Sequence, residues 1–293
     1  MQSGKAQVGR RHDLQLKLDS LSEIEGIMTA MKNLAFMETR KLIHFLSAQQ
    51  LAVASIEAAA WDFTSFHGHD GVREVVETCL LIGSERGFCG DFNEKLLQAR
   101  ALLVPGWHII AVGRRLESKL ETETLIGGAT VAEEVAPVLT EIADFLAAMQ
   151  RGLPAGNVLG ITALYHETDG IRTRRLLPLP ESKPLARKYA HPPLLNLDPP
   201  AFYEKLSEHY LYAALHEALY SSLMVENRYR IDHMDNAISQ LDKRMTRLKQ
   251  RYNTLRQEEI IEEIEIIMLS VETLTGVRQA AEEVYERRQN KAK

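Results

Sequence analysis

The 293-residue sequence has few cysteines and no long apolar run. A helical membrane span needs about 18 or more consecutive apolar residues, so we expect no direct membrane insertion. The first residues, MQSGKAQVGRRHDLQLK, lack the apolar core of a signal peptide. Cys79 and Cys89 have no metal-like spacing, and we expect reduced thiols, with a disulfide between them as the open alternative. These absences favour a cytoplasmic protein.

The sequence also lacks strong positive charge and a phosphate-binding motif. A net charge of −5 argues against a nucleic-acid binder, which usually carries a strongly basic face. The segment GSERGFCGDFN has three glycines, but neither the P-loop nor the dinucleotide-binding spacing. Glu85 and Asp91 would repel phosphate. The segment therefore predicts a strand-to-helix turn in which glycines relieve backbone strain, and it disfavours a nucleotide-using enzyme.

Proline is absent after Pro200, and the only later glycine is Gly276. One helix could therefore run from about Ala201 to near the end, a length of roughly 140 Å at 1.5 Å per residue. Its apolar residues recur at alternating steps of three and four, the pattern of a coiled-coil seam. The seam residues are Ile231, Met234, Ile238, Leu241, Met245, Leu248, Tyr252 and Leu255.

The N-terminal segment, residues 10–66, has a similar rhythm and predicts a second helix. Its apolar positions are Leu14, Leu18, Leu21, Ile24, Met28, Met31 and Ala35. A seam of two positions in seven needs a partner, so either the terminal helices pack antiparallel on each other or the chain dimerises. The internal pairing has the lower entropic cost, because the intervening domain already holds both helices together.

Residues 75–180 alternate between strand-like and helix-like segments. TCLLIGS, WHIIAVG, NVLGITALYHE and IRTRRLLPLP predict strands, whereas NEKLLQARALL and VAEEVAPVLTEIADFLAAM predict helices. The predicted fold class is therefore α/β: a small, mostly parallel, Rossmann-like domain plus an antiparallel coiled coil of the N- and C-terminal helices. A proline-rich connection, residues 181–200, precedes the long C-terminal helix, residues 201–293.

The apolar pattern of the C-terminal helix changes phase after Leu255. The next apolar residue of the stripe is Ile260, a step of five, after which Ile264, Ile267, Val271 and Leu274 resume the three–four rhythm. We expect the seam to shift at this point and the supercoil to change its winding.

Three groups of side chains are candidate sites. His67, His69 and Asp70 could ligate a metal, but they lack a second ligand pair and favour a surface loop. Cys89 could pair with a histidine as a nucleophile, although a small buried side chain is the simpler interpretation. A basic band is either the solvated flank of a coiled coil or an interface with acidic loops of a surrounding partner. The band comprises Lys243, Arg244, Arg247, Lys249, Arg251 and Arg256.

Four stretches, taken in order, resemble the F-type ATP synthase gamma subunit. They are EGIMTAMKNLAFMETRKL, LLIGSERGFCGDFNEKLL, RRLLPLP and ALYSSLMVENRYRIDHMDNAISQLDKRMTRLKQRYNTLRQEEIIEEI, and the resemblance covers most of the chain from Leu14 to Leu274. The sequence departs from the family pattern at Asp91 and Phe92, and in the acidic segment EEIIEEIEIIMLSVETL. These departures point to a divergent branch, such as an alternative F-type ATPase.

The resemblance implies a central rotor shaft that couples ion flow through a membrane ring to ATP synthesis or hydrolysis. The implied partners are the alpha and beta ATPase subunits, the epsilon subunit and the membrane c-ring. The implied location is peripheral, on the cytoplasmic side of the cell membrane. Chemistry would occur on the beta subunits, so this chain would supply no catalytic residue, cofactor or metal site. The alternative is a homodimeric coiled-coil scaffold with an α/β head.

The resemblance also implies partner-interface residues. Arg256 and Gln257 match the family's Arg-Gln pair, which touches a loop of the catalytic subunit, and Met31 matches a methionine of the first helix. The segment LARKYAHPP would meet the ring and the epsilon subunit. The interface candidates are Met31, Lys188, Tyr189, Arg244, Arg247, Arg256 and Gln257.

Overall fold

A computed structural model describes residues 2–67, 74–101, 106–120, 124–179 and 191–290, with side chains described between residues 9 and 271 of these ranges. Helix α1 spans Gln2–His67 and helix α4 spans Pro199–Asn290. Pro199 and Pro200 lie in the first turn of α4, where the fixed φ of proline suits a helix start. The Phe202 amide donates to the Asp198 carbonyl at 2.9 Å and closes that turn. Both long terminal helices predicted from the sequence are confirmed.

A five-stranded sheet lies between these helices in sequence. Its strands are β1 (Val75–Ile82), β2 (His108–Val112), β3 (Thr124–Ile126), β4 (Val158–Glu167) and β5 (Gly170–Leu177). The order across the sheet is β3-β2-β1-β4-β5, and only β5 is antiparallel to its neighbour. The domain also contains helices α2 (Phe92–Arg100) and α3 (Val135–Gly152) and two short 3₁₀ helices, Arg114–Lys119 and Ala132–Glu134. The predicted mostly parallel α/β fold is confirmed, and β3 is a strand that the sequence pattern did not predict.

The two faces of the sheet are buried against different helices because strand side chains alternate between faces. Leu80 and Ile82 of β1 belong to a core shared with α1, α3 and α4. Cys79 and Leu81 of the same strand belong to a second core, which includes Leu96 of α2. The sheet is therefore covered on both sides, as expected for mostly parallel strands.

The described residues group into two compact units. One unit comprises Met1–Thr29 with Asn236–Lys293, and the other comprises Ala30–Asp235. We call these the coil unit and the sheet unit. Both boundaries lie inside helices, because α1 and α4 contribute to each unit. The segment boundaries predicted from the sequence, 10–66, 75–180, 181–200 and 201–293, follow the elements instead of these units and stay predictions.

Candidate functional site

The coil unit is built on the predicted seams. Ile238, Leu241, Met245, Leu248, Tyr252 and Leu255 are all half-buried along α4. On α1 the half-buried apolar positions are Leu14, Leu18, Leu21 and Met28. Most positions between them are exposed on both helices. Each helix thus presents a narrow apolar stripe and polar flanks, the arrangement typical of a two-stranded coiled coil.

Within the sheet unit the two helices run in opposite directions. Lys32 donates to Asp235 at 2.7 Å, the rings of Phe45 and Tyr220 stack 5.7 Å apart, and Gln49 donates to the carbonyl of residue 213 at 3.0 Å. The α1 number rises while the α4 number falls, so the helices are antiparallel. The internal pairing expected from the sequence is confirmed.

The predicted seam was wrong at one position of α1. Ile24 is 45% exposed, and the neighbouring Glu25 is half-buried. The seam steps from Leu21 to Glu25 to Met28, which keeps the three–four spacing of the helix face. The phase of the helix therefore decides which position is buried, and Ile24 lies beside the seam.

The predicted shift of the α4 seam was also wrong. After Leu255 the half-buried positions are Glu259 and Glu262, at steps of four and three, whereas Ile260 and Ile264 are 45% and 51% exposed. The heptad phase continues without interruption, and two glutamates occupy positions that apolar residues normally fill. Continuous winding places the isoleucine row on the outer face of α4.

An ion pair explains how the seam accepts Glu259. Arg11 Nε lies 3.1 Å from Glu259 Oε2, and these side chains are 34% and 13% exposed. The Arg11 guanidinium also lies 5.9 Å from the centroid of the Tyr252 ring. The second oxygen of Glu259, Oε1, is buried and has no hydrogen-bond partner among the described residues. The ion pair with Arg11 thus satisfies only one of the two carboxylate oxygens of Glu259 in the seam.

We expect Glu259→Leu to stabilise the coil unit by about 1 kcal/mol, because leucine removes a partly unsatisfied carboxylate and adds apolar area to the seam. Hydrogen exchange of the amides around Tyr252 would measure the change. Glu258→Leu is the matched control, because Glu258 is exposed on the same turn and its replacement should leave the exchange unchanged. Faster exchange in Glu259→Leu than in the wild type would contradict the expectation.

In the sheet unit, helix α4 crosses the carboxyl ends of β1 and β4. Ser222 Oγ donates to the Ile82 carbonyl at 3.1 Å, and Ser221 Oγ donates to the His166 carbonyl at 3.0 Å. In doubly wound sheets ligands bind in the crevice at the carboxyl edge where the strand order reverses. Here the order β2-β1-β4 makes that point the boundary between β1 and β4, where α4 lies. The site used by nucleotides in other such folds is filled by a helix.

The glycine-containing loop after β1 is held by a buried polar network. Asn93 donates to Ser84 Oγ at 2.8 Å and accepts from the Ser84 amide at 3.1 Å, and Cys89 Sγ lies 3.3 Å from the same hydroxyl. A Cβ on Gly83 would lie 2.6 Å from Leu116 and 2.9 Å from Asn93 Oδ1. Close packing therefore requires this glycine. The loop makes a turn from β1 to α2, as the sequence predicted.

The cysteines are free and buried in this region. Burial raises the pKa of the Cys79 thiol to about 11 and also raises the pKa of the Cys89 thiol. Both groups are therefore protonated near neutral pH and poor nucleophiles.

A buried pair, Glu226 and Arg230, fastens α4 to the same loop. Arg230 donates to Glu226, to Asn227 Oδ1 at 2.8 Å and to the Gly87 carbonyl at 3.4 Å. Burial raises the pKa of the Glu226 carboxyl to about 7, with the positive charge of Arg230 acting in the opposite direction. The motif VENRYR contains both residues, but the sequence alone assigned them no role. Their roles depend on contacts with the distant loop, which spacing along the chain does not reveal.

The predicted interface residues lie in different places. Arg244, Arg247, Arg256 and Gln257 are exposed on α4 in the coil unit, and Met31 is half-buried on α1 in the sheet unit. Lys188 and Tyr189 lie outside the described residues. Their roles stay predictions.

Two further candidates concern metals and membranes. His67 ends α1, whereas His69 and Asp70 lie outside the described residues. Among the side chains that the structure describes, no group of three or more His, Cys, Asp or Glu residues is placed to hold a metal. In the described ranges, no helix contains a stretch that is both long enough and apolar enough to cross a membrane.

Comparison with known proteins identifies the family. The sequence model of the ATP synthase family matches residues 10–274. The ATP synthase gamma chain of Campylobacter jejuni subsp. jejuni serotype O:6 is 22% identical, over 89% of this chain and 98% of that protein.

Two solved structures of the Euglena gracilis mitochondrial ATP synthase share the fold. A chain of the rotor in rotational state 1 has a TM-score of 0.58 at 16% identity and covers 86% of this chain and 99% of its own. A chain of the assembly of OSCP, F1 and c-ring in rotational state 3 has a TM-score of 0.57 at 16% identity, covering 91% of this chain and 95% of its own. The family match over residues 10–274, the gamma-chain relative and this shared fold together show that the chain belongs to the ATP synthase gamma-subunit family.

Proposed function

We propose that this chain is the central rotor shaft of an F-type ATP synthase. It would couple ion flow through a membrane ring to ATP synthesis or hydrolysis on neighbouring alpha and beta subunits. The family match over residues 10–274 carries this proposal. The curated relative is itself a gamma chain, and the solved neighbours belong to a rotor and to an assembly of F1 and c-ring. The chain would be peripheral to the cell membrane, on its cytoplasmic side.

The physical properties of the coil unit support this function. Two helices that interlock along a seam resist bending and twisting better than one helix does. Their outer faces carry exposed charged residues such as Arg244 and Glu258 beside the exposed isoleucine row that begins at Ile260. A shaft with chemically different faces contacts three surrounding catalytic sites differently. Differential contact is what allows its orientation to bias their conformational equilibria.

The internal pairing of α1 with α4 disfavours the homodimeric scaffold. The seam residues of each helix are already covered within one chain, so a second copy is not required to bury them. Helix α4 also occupies the carboxyl edge of the sheet between β1 and β4, where nucleotides bind in other doubly wound folds. This occupancy favours a coupling subunit over a nucleotide-using enzyme.

A reconstitution experiment tests the proposal. The chain would be co-expressed with alpha and beta ATPase subunits of the same organism. The purified complex would be tested for ATP hydrolysis and for rotation of a bead attached to the sheet unit. We expect one copy of this chain per three alpha and three beta subunits, with ATP-driven rotation. A symmetric homodimer that does not assemble with alpha and beta would contradict the proposal.

We further propose that Arg256 and Gln257 contact the catalytic subunits, together with Met31, Arg244 and Arg247. In the reconstituted complex, Arg256→Ala with Gln257→Ala should lower the hydrolysis rate about tenfold, because hydrogen bonds to a charged group are worth about 1.5–3 kcal/mol. The measurement is steady-state ATP hydrolysis at saturating ATP.

Gln250→Ala is the control for that pair, because Gln250 is exposed on the same helix and lies outside both the basic band and the proposed contact set. Its hydrolysis rate should match the wild type. Equal rates for the double variant and for Gln250→Ala would remove Arg256 and Gln257 from the interface. Lys188 and Tyr189 stay candidates for contact with the c-ring and the epsilon subunit.

A further inference from the structure

One buried arginine joins the sheet to both long helices. Arg174 lies on β5, the antiparallel edge strand, and its side chain is 10% exposed. Its Nη2 lies 2.5 Å from Glu57 Oε1 on α1, and its Nη1 lies 2.6 Å from Glu217 Oε2 on α4. Each arm of one guanidinium therefore binds a different helix.

Tyr210 closes the same cluster. Its hydroxyl accepts from Arg174 Nε at 3.4 Å and donates to Glu57 Oε1 at 3.2 Å. Tyr210 belongs to α4 and is 1% exposed, and Glu217 is also buried. Arg174, Tyr210 and Glu217 thus lie away from water, whereas the Glu57 side chain is 42% exposed at the edge of the cluster. Charge-assisted hydrogen bonds of this kind are short and hold a defined geometry. The planar guanidinium adds directional constraint that a lysine ammonium lacks.

Most of the surrounding contact between sheet and helices is apolar, apart from the hydrogen bonds of Ser221 and Ser222 to the carboxyl ends of β4 and β1. The core that joins β1 and β4 to α1 and α4 consists of residues such as Leu80, Tyr165 and Leu215. Apolar burial is non-directional, so it resists separation more than it resists sliding. The forked ion pair of Arg174 supplies direction, because sliding of either helix along the sheet would break one of its two arms.

We propose that Arg174 is a positioning residue for torque transfer between the α/β domain and the two shaft helices. The assignment rests on the proposed rotary function. Torque that enters at the sheet must reach α1 and α4 together, or the helices would slip against the sheet during a catalytic cycle. Arg174 holds both helices at one point of β5. Neutralising it loosens the junction and leaves the catalytic surfaces on alpha and beta untouched.

The neighbouring residue provides a matched control. Arg175 lies on the same strand, carries the same charge and binds Glu77 of β1 with Nη2–Oε1 at 3.0 Å. The side chains of Arg175 and Glu77 are each 30% exposed, and both residues belong to strands of the sheet. Removing the Arg175 charge breaks one ion pair within the sheet and leaves the contacts of Arg174 with α1 and α4 in place.

The test uses the complex with its membrane ring, in sealed vesicles. ATP hydrolysis and ATP-driven ion uptake are measured in the same preparation for the wild type, Arg174→Gln, Arg174→Lys and Arg175→Gln. We expect Arg174→Gln to hydrolyse ATP at the wild-type rate while ion uptake per ATP falls by about threefold or more, because both charge-assisted hydrogen bonds disappear. Ion uptake per ATP in Arg174→Lys should lie between the values of the wild type and Arg174→Gln, because an ammonium is a point charge without the planar fork of a guanidinium. Arg175→Gln should match the wild type.

The outcomes separate the two proposals. Unchanged ion uptake per ATP in Arg174→Gln would overturn the assignment. So would a parallel loss of hydrolysis, assembly and thermal stability, because that pattern describes a residue needed only for folding. If Arg174→Gln does not fold, Glu57→Gln and Arg174→Lys carry the same comparison. A wild-type complex that hydrolyses ATP without rotation or ion uptake would overturn the rotary function, and this assignment with it.

Discussion

Replacing Arg230 with methionine is expected to lower the free energy of unfolding by about 3–5 kcal/mol at pH 8, because it leaves Glu226 buried without its cation. Methionine keeps most of the length of the side chain and removes only the charge and the donors. The variant can no longer donate hydrogen bonds to Glu226, Asn227 and the Gly87 carbonyl. Since Gly87 belongs to the loop after β1, the substitution also loosens that loop from α4.

The destabilisation should depend on pH, and its sign follows from Glu226. Burial raises the pKa of this carboxyl above its ordinary value of 4.5, to about 7. The folded state therefore binds the proton more tightly than the unfolded state, so stability falls as pH rises from 4.5 through 7. Removing Arg230 raises the pKa further and extends this fall to higher pH. At pH 5 the carboxyl is protonated in the variant, and much of the cost disappears.

Urea unfolding at pH 5 and pH 8 measures both effects. Arg228→Met is the control, because Arg228 is exposed two residues away on the same helix, and its replacement should change stability by less than about 0.5 kcal/mol. Glu226→Gln combined with Arg230→Met should regain part of the stability that Arg230→Met removes at pH 8, since no buried charge remains. An equal destabilisation at pH 5 and pH 8 would exclude Glu226 as the responsible group.

Regular patterns made the helices and most strands predictable. The seam of α4 from Ile238 to Leu255 is found as expected because a coiled coil repeats its apolar positions every 3.5 residues. β1 and β4 are rich in apolar residues and contain short apolar runs such as Cys79–Ile82, which mark strands buried on both faces. β3 has only three residues and pairs with β2 alone in the described sheet. So short a segment has no period of its own, and its strand conformation depends on its neighbour.

The seam errors share one cause. The seam positions were predicted from the apolar residues of the sequence, whereas the three–four repeat of the helix determines which positions are buried. Ile24 and Ile260 were assigned to the seam for their side chains, but Glu25 and Glu259 occupy the buried phase. Glu259 can do so because Arg11 lies 3.1 Å away, and that contact is invisible in a chain where the two residues are far apart.

The polar clusters could not be predicted either, because their members are far apart in the sequence. Arg174 and Glu57 are separated by 117 positions, and Arg230 and Gly87 by 143. A charged residue on a strand such as β5 is ordinarily solvated, and only the fold places this one between two carboxylates. The family resemblance supplied interface candidates, but it gave no role to the residues that hold the sheet unit together.

Gly113→Ala is expected to destabilise the sheet unit by about 4 kcal/mol, combining backbone strain with a steric clash. Gly113 follows β2 with φ of 101°, which alanine adopts poorly. An added Cβ would lie 2.8 Å from the carbonyl oxygens of Gly83 and Ser84. Both oxygens belong to the backbone, so no side chain can rotate away to relieve the clash.

Two other glycines separate the contributions. Gly106 has φ of 96° and no atom within 4 Å of an added Cβ, so Gly106→Ala measures the strain alone, about 1–2 kcal/mol. Gly127 has neither a positive φ nor a nearby atom, so Gly127→Ala should be close to neutral. Denaturant unfolding measures the free energy of unfolding of the three variants. The loss in Gly113→Ala minus the loss in Gly106→Ala gives the energetic cost of the clash. If Gly113→Ala costs no more than Gly106→Ala, the loop after β1 moves freely. The network of Ser84, Asn93 and Arg230 would then not hold that loop rigidly against α4.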